Sequence, residues 1–229
     1  MKHLFTWNGH SNFTIQSDDK TILLDPFFEG NPKACASWDT VKKADAVLVT
    51  HDHGDHVGQA AEICNATGAE LVCIFDFIND MISQGVSGDK IIGMNIGGTI
   101  EVSGIKVKMV QAMHSSASGA PAGFIITYPD DFCVYFAGDT GLFSSMELFG
   151  KLHDIDVAVL PTGGWFTMDS KDAAYACKML QCKKVIPMHY GTFPILEQNA
   201  ESFIKNCADL APDCKVIELE IGNPTEINS

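Results

Sequence analysis

The strongest chemical signal in the sequence is a short segment that reads Thr50-His51-Asp52-His53-Gly54-Asp55-His56. It brings three imidazoles and two carboxylates into six residues, directly after an apolar run. Imidazole nitrogen and carboxylate oxygen are the ligands that divalent ions such as zinc prefer, and a metal site that keeps a water ligand can activate it as a nucleophile. The segment therefore predicts a metal site, in preference to a solvated loop that happens to be rich in histidine.

The spacing inside this segment indicates two adjacent ions. His51 and His53 alternate in an extended turn, so their imidazoles can converge from one side. Asp55 and His56 fall at the start of the following helix and point in another direction. Two pairs of ligands aimed in two directions suit two neighbouring metals better than one.

Three more candidate ligands, His114, Asp139 and His189, each come just after an apolar run. A single histidine in such a place is more often an exposed turn residue than a ligand. Three such positions, added to a motif that leaves coordination unfilled, predict one rim that gathers all of them.

Short strands and a few helices surround these residues. The patterns predict strands at residues 4–7, 12–16, 21–24, 45–49, 70–75, 123–128, 132–137, 156–160, 185–187 and 215–221. They predict helices at residues 57–64, 76–84, 170–180 and 195–210. Asp169 or Ser170 is expected to cap the third helix. Residues 90–110 are typical of hairpins, and the polar tail from Asn223 is expected to be loose.

No linker rich in Pro, Gly or Ser separates the two halves of the chain. We therefore predict a single domain over residues 1–229 with an α+β fold. Two mixed sheets would pack face to face with helices outside, which gives four layers, and the site would lie along one edge of the sheets.

The composition of the chain indicates its cellular compartment. No apolar stretch approaches the roughly 20 residues needed to span a bilayer, and the first residues do not have the pattern of a signal peptide. The expectation is a soluble cytoplasmic protein. Eight cysteines are scattered without a Cys-x-x-Cys pair and mostly inside apolar segments, which favours reduced buried thiols over disulfides or a sulfur-ligated metal.

Charge limits the choice of partner. The formal net charge is −14, from 29 acidic and 15 basic side chains, and every basic residue is Lys. We expect no nucleic-acid partner, because binding of nucleic acid depends on basic patches. Without Arg, the chain cannot form a bidentate guanidinium clamp on phosphate or carboxylate. The expected partner is a small-molecule substrate, with no membrane, while homo-oligomerisation stays open.

Six segments together resemble the metallo-β-lactamase superfamily. They are Gly9-His10-Ser11-Asn12-Phe13, residues 22–27, residues 50–56, Met113-His114-Ser115-Ser116, residues 137–141 and residues 188–193. The chain is most similar to the metal-dependent hydrolases near the ascorbate-phosphate lactonases and the N-acyl-phosphatidylethanolamine phospholipase D type. The resemblance implies an αββα sandwich.

It also implies roles for individual residues. His51, His53 and His114 would bind one metal; Asp55, His56 and His189 would bind the other; and Asp139 would bridge them. Asp25 matches the carboxylate that orients ligand imidazoles. His53 stands where the flavodiiron oxidoreductases have Glu, and the second set lacks the Cys ligand of many true β-lactamases, so both features favour a hydrolase.

The resulting prediction is a dinuclear hydrolase that holds two divalent ions, zinc first, with manganese, nickel or iron as alternatives. A hydroxide bridging the ions would attack a small ester, lactone or phosphodiester. Asp139, Asp55 and His10 are the candidate catalytic residues, and His10 would serve as a proton donor if it faces the site. Trp165 is expected either at the pocket rim or as a packing aromatic. The alternatives are a mononuclear iron oxidoreductase of the persulfide-dioxygenase type and a non-catalytic metal or ligand sensor.

Overall fold

The computed structural model of the protein describes residues 1–228 and contains two seven-stranded sheets. The strands of the first sheet are β1 (His3–Trp7), β2 (Phe13–Ser17), β3 (Lys20–Leu24), β4 (Ala46–Leu48), β5 (Glu70–Ile74), β6 (Ile91–Met94) and β14 (Thr225–Glu226). Their order is β14-β1-β2-β3-β4-β5-β6. The meander β1-β2-β3 is antiparallel, and the strands from β3 to β6 run parallel to one another.

The second sheet has the order β13-β12-β11-β10-β9-β8-β7. Its strands are β7 (Thr99–Val102), β8 (Ile105–Gln111), β9 (Ala122–Thr127), β10 (Cys133–Phe136), β11 (Val157–Pro161), β12 (Lys184–Met188) and β13 (Lys215–Val216). The strands from β7 to β10 are antiparallel, and those from β10 to β13 are parallel. Each sheet therefore joins an antiparallel half to a parallel half, as predicted for mixed sheets.

Within the described residues, six α-helices connect these strands: α1 (Gly54–Val57), α2 (Ala60–Thr67), α3 (Ile78–Ser83), α4 (Met146–Leu152), α5 (Ser170–Leu180) and α6 (Glu201–Leu210). The Asp169 carboxylate accepts hydrogen bonds from the backbone N–H groups of Lys171 and Asp172, at 2.9 and 2.8 Å, so Asp169 is the cap of α5. Among residues 1–228, the structure has no helix with the length and apolar character needed to cross a membrane.

The main core lies between the sheets. Phe13 of β2 and Phe136 of β10 are both fully buried and meet edge to face, with ring centroids 6.0 Å apart. A second apolar cluster, which includes Tyr135 and Leu160, packs the other face of the second sheet against α5 and α6. Helices outside two facing sheets confirm the predicted four-layer αββα sandwich of the α+β class.

Several element predictions were wrong. The tail from Asn223 is not loose, because β14 pairs with β1 and Ile227 is buried. Residues 90–110 contain one hairpin, β7-β8, whereas β6 joins the first sheet parallel to β5. The last helix begins at Glu201 and not at residue 195, and β13 has only two residues. The errors at β6 and β14 concern short strands whose pairing depends on a distant neighbour.

Parallel pairing explains why the site can form at one edge. Strands that run in the same direction end at the same edge of a sheet, so the residues that follow them lie close together. Asp25 follows β3, Asp139 follows β10 and His189 follows β12, while the segment of residues 50–56, which we call the motif loop, follows β4. The fold thus places polar residues that are far apart in the sequence close together at one edge of the sheets.

Gly58, at the end of α1, allows the motif loop to pack closely on the chain after β3. Its φ is +44°, and an added Cβ would lie 2.3 Å from the Pro26 carbonyl oxygen and 2.5 Å from the Phe27 Cα. Gly58→Ala is expected to lower the free energy of unfolding by about 2 kcal/mol or more, because strained backbone and a backbone clash add. Chemical denaturation measures this. Gly54→Ala is the control, since nothing lies within 4 Å of its added Cβ; an equal loss in both variants would contradict the argument.

Candidate metal centre

The Asp25 carboxylate holds the motif loop through contacts with Thr50 and His56. It is fully buried, and its Oδ1 accepts a hydrogen bond from the Thr50 N–H at 2.8 Å. Its Oδ2 accepts from the Thr50 hydroxyl and lies 2.7 Å from His56 Nδ1. With Nδ1 directed to a carboxylate, the His56 Nε2 lone pair is free for a metal. The predicted orienting role of Asp25 therefore has a direct geometric basis.

Replacing Asp25 should loosen metal binding without removing a ligand. Asp25→Asn keeps the shape of the side chain but loses the charge and one acceptor, so Thr50 and His56 cannot both be held as before. Partners of this kind typically contribute about 10- to 100-fold in metal affinity. Competition with a chelator should show a loss of that size in Asp25→Asn. Unchanged affinity would show that Asp25 does not orient His56.

The first group of predicted ligands is gathered by the structure. One ligand atom each from His51, His53 and His114 lies within 4.8 Å of the other two. The His51 ring is 4.5 Å from that of His53 and 5.1 Å from that of His114, measured between centroids. His51 is buried and the other two are partly exposed, so an ion here would be reachable from solvent.

The second group contains the other predicted set and one further residue. Ligand atoms of Asp55, His56, His189 and His10 all lie within 4.8 Å of one another. His56 and His189 are buried, whereas Asp55 is partly exposed. Six of the seven residues predicted as ligands are therefore gathered in two groups.

Asp139 lies where the groups meet. Its Oδ2 is 3.0 Å from His189 Nε2, 3.2 Å from His56 Nε2 and 3.6 Å from His114 Nε2. It also shares a compact group with His51 and His56. A carboxylate with imidazoles of both groups around it has the position that a bridging ligand needs.

Charge at the centre follows from burial and these contacts. Burial alone would raise the pKa of Asp139, but the charges of His56 and His189 lower it well below its ordinary value. Burial opposes the charged form of His56, yet Asp139 and Asp25 together raise its pKa. Burial, with the charge of His56, lowers the pKa of His51 to about 2. The centre thus holds an ionised Asp139 and a neutral His51, the forms that bind metals. The raised pKa of His56 means that a metal ion at its Nε2 would take the place of a proton, and the same two carboxylates would stabilise either cation.

The chemistry of the side chains fits metal ions. Within residues 1–228, His51 Nε2, His56 Nε2 and Asp139 Oδ1 are buried and make no hydrogen bond. An unsatisfied buried polar atom typically costs about 1–3 kcal/mol, and three in one cluster would be hard to sustain. His56 Nε2 and Asp139 Oδ2 approach each other without hydrogen-bond geometry. Cations between these atoms would satisfy them all.

His10, which the sequence left open, lies inside the cluster. The side chain is fully buried, and its ring centroid is 3.9 Å from that of His189. Its Nε2 lies 3.1 Å from Asp55 Oδ2, and its Nδ1 lies 3.1 Å from the Thr192 hydroxyl oxygen. Burial lowers its pKa to about 4, although Asp55 opposes the change. A neutral ring can donate from Nε2 to Asp55. The Thr192 hydroxyl at Nδ1 also lies 3.2 Å from the Tyr190 carbonyl oxygen, so its single proton can go to either acceptor.

Asp52 was not singled out from the sequence, yet it fixes the segment after His114. Its carboxylate accepts hydrogen bonds from the Ser116 hydroxyl and from the N–H groups of Ala117 and Ser118. Burial raises its pKa, but these hydrogen bonds outweigh that effect and lower it. The available signal was that Asp52 is the one carboxylate of the motif loop without a ligand role.

Trp165 is not a packing aromatic. It is 75% exposed, has φ +56° and lines a groove of about 460 Å³ together with Gly163 and residues 195–199. An added Cβ at Gly163 would lie 2.0 Å from the His189 carbonyl oxygen, so the groove wall is in contact with the backbone of a predicted ligand. Trp165 therefore lies in the wall of a groove and not in the core, and its place at the rim of the metal centre stays a prediction.

Comparisons with known proteins agree with this geometry. Residues 20–190 match the family model described as the beta-lactamase superfamily domain. A UPF0173 metal-dependent hydrolase of Nitratidesulfovibrio vulgaris is 52% identical over 97% of this chain and 94% of its own length. A UPF0173 metal-dependent hydrolase of Lawsonia intracellularis is 49% identical over 99% of this chain and 100% of its own length. The structure of Igni18, a metallo hydrolase of Ignicoccus hospitalis, has a TM-score of 0.91 and 36% identity, with both chains fully covered.

The chain belongs to the metallo-β-lactamase superfamily, which confirms the resemblance drawn from its motifs. Within that superfamily it is a metal-dependent hydrolase, as predicted.

Proposed function

We propose that the protein is a dinuclear hydrolase that cleaves a small ester, lactone or phosphodiester. His51, His53 and His114 would hold one divalent ion, Asp55, His56 and His189 the other, and Asp139 both. The observation that carries this proposal is the position of Asp139 Oδ2, which lies within 3.6 Å of imidazoles from both groups. Zinc is the first candidate because the proposed ligands are all nitrogen and oxygen atoms, with manganese, nickel and iron as alternatives.

Bound ions would provide most of the acceleration of hydrolysis. Two ions together can lower the pKa of water from about 15.7 towards about 7, polarise the scissile oxygen and stabilise the leaving oxyanion. The chain's own residues would then hold this centre in place and handle the proton. Asp25 fixes His56, Asp52 fixes the segment after His114, and His10 is the one neutral imidazole beside Asp55 with a hydroxyl at its other nitrogen.

Several features favour a small substrate over a polymer. The formal net charge of −14 and the absence of Arg oppose binding of a polyanion. Exposed apolar side chains, Trp165, Phe166 and Ile195, lie along the segments that border the groove. Such side chains can cover an uncharged substituent of a small ester or lactone.

The test is a hydrolase panel with the chain loaded separately with zinc, manganese and nickel. We expect turnover of at least one small ester, lactone or phosphodiester, and none of structured RNA or duplex DNA at physiological salt. Faster cleavage of nucleic acid than of any small substrate would overturn the proposal. Metal occupancy without turnover of any substrate would indicate a sensor, and one iron per chain with oxygen consumption would indicate an oxidoreductase.

A further inference from the structure

A second cluster of potential ligands lies at the opposite edge of the second sheet. The sulfur atoms of Cys177, Cys182 and Cys214 are within 4.8 Å of one another, and all three residues are buried. Cys182 comes just before β12, whereas His189 comes just after it. The five residues of that strand span roughly 17 Å, so this sulfur cluster is well separated from the histidine and aspartate centre.

The fold brings these cysteines together through two local features. Gln181 ends α5 in the left-handed conformation, with φ +52°, so the chain turns back and Cys182 lies under the last turn of the helix. The Cys182 sulfur is 3.9 Å from the Cys177 carbonyl oxygen. Parallel pairing of Lys184 with Lys215 then sets Cys214 beside the same turn, with its sulfur 3.5 Å from that of Cys182.

Buried thiols often serve only as small apolar side chains, but this cluster differs in its surroundings. All three cysteines line a cavity of about 610 Å³, together with the charged residues Lys178, Lys183, Asp209 and Asp213. The three cysteines thus border a cavity whose wall also carries charged side chains. Hydrogen bonds from Cys177 and Cys182 lower the pKa of Cys214, which favours its thiolate form. Hydrogen bonds within the cluster, together with burial, raise the pKa values of Cys177 and Cys182, so a metal ion would have to displace their protons.

We propose that Cys177, Cys182 and Cys214 form a separate thiolate site for a thiophilic metal ion, either zinc or monovalent copper. Two thiolates on one tetrahedral zinc, each about 2.3 Å from the ion, lie about 3.8 Å apart, close to the 3.5 Å between Cys182 and Cys214. Soft thiolate ligands select these two ions. The three cysteines are free and buried, as the sequence predicted; the proposed metal goes beyond that prediction, which favoured thiols without a metal.

Charge and proton balance are consistent with such a site. Binding requires three thiolates, so each thiol that is still protonated releases its proton to solvent, and no electron is transferred. Three thiolates with a divalent ion have a net charge of −1. Three thiolates with a monovalent ion would have a net charge of −2. Lys178 and Lys183 line the cavity and reduce the cost of that excess. The cavity can also supply water as a fourth ligand for zinc.

Cobalt substitution in the full-length chain tests this site independently of hydrolysis. Reduced protein loaded with Co²⁺ without oxygen should show a thiolate-to-cobalt charge-transfer band in the near ultraviolet. Cobalt bound to histidine and aspartate has no sulfur ligand and gives no such band. We expect the band to be lost in Cys182→Ala and in Cys214→Ala. It should remain in the control Cys73→Ala, which removes a fully buried thiol of β5.

Alkylation of the cysteines provides a second readout and separates the two ions. Zinc or monovalent copper, added in separate experiments to reduced protein, should protect Cys182 and Cys214 from a thiol reagent, as measured by mass spectrometry. The ion that protects at the lower concentration is the preferred one. The proposal is overturned if neither ion protects and no charge-transfer band forms. It is also overturned if the band persists in both cluster variants. Neither result depends on the hydrolase assay.

Discussion

Asp139→Ala should abolish hydrolysis, with a fall in kcat of at least about 10³, and should reduce the number of bound ions. The carboxylate lies among His56, His114 and His189, so its loss removes the one negative charge shared by both groups. Without it, positively charged ions would face each other with less compensation, and at least one should leave or move. Elemental analysis combined with steady-state kinetics measures both effects.

Asp154→Ala is the matched control, because the side chain of Asp154 is 93% exposed and its salt bridge is on the surface. It should keep full activity and full metal content. If Asp139→Ala retained both ions and more than about a tenth of the activity, Asp139 would not be the bridge.

The second large effect concerns His10. His10→Ala should retain both ions and lose about 10²- to 10⁴-fold in rate with substrates that have poor leaving groups, because a neutral imidazole beside Asp55 can donate a hydrogen bond that stabilises the leaving oxygen. The loss should be smaller with nitrophenolate, which departs without a proton. Rates over a series of leaving groups, together with metal content, measure this.

Thr192→Val is a second variant with a smaller expected effect, since it removes the hydroxyl at His10 Nδ1 but leaves the ring. We expect a smaller loss with the same dependence on the leaving group. An equal loss for good and poor leaving groups in His10→Ala would remove the role as a hydrogen-bond donor to the leaving oxygen. A loss of metal would make His10 a ligand or a support for Asp55, a possibility that its position in the second group also allows.

Local pattern was sufficient for much of the fold and for the candidate site. The apolar run before Thr50 and the ligand spacing of the motif loop are encoded within a few residues, and His114, Asp139 and His189 share one simple context at strand ends. The structure brings all of them together because parallel strands end at one edge. Asp25 was found through its motif, and its contacts with Thr50 and His56 account for it.

The features that the sequence did not predict depend on contacts between distant segments. β14 has two residues, and its pairing with β1 across more than 200 positions carries no local signal. Cys214 meets Cys182 only because β13 pairs with β12. The role of Asp52 depends on how the segment after His114 folds back over the motif loop. In each case tertiary packing decides what periodicity leaves open.

The central claim is that two ions share Asp139, and anomalous X-ray scattering from crystals of the zinc-loaded protein tests it most directly. The account predicts two peaks at the histidine and aspartate centre, about 3.5–4 Å apart, with the Asp139 carboxylate in contact with both. Any peak at the cysteine cluster would be separate in position and would not affect this count. A single peak at the centre under saturating zinc, or two peaks of which only one contacts Asp139, would contradict the account.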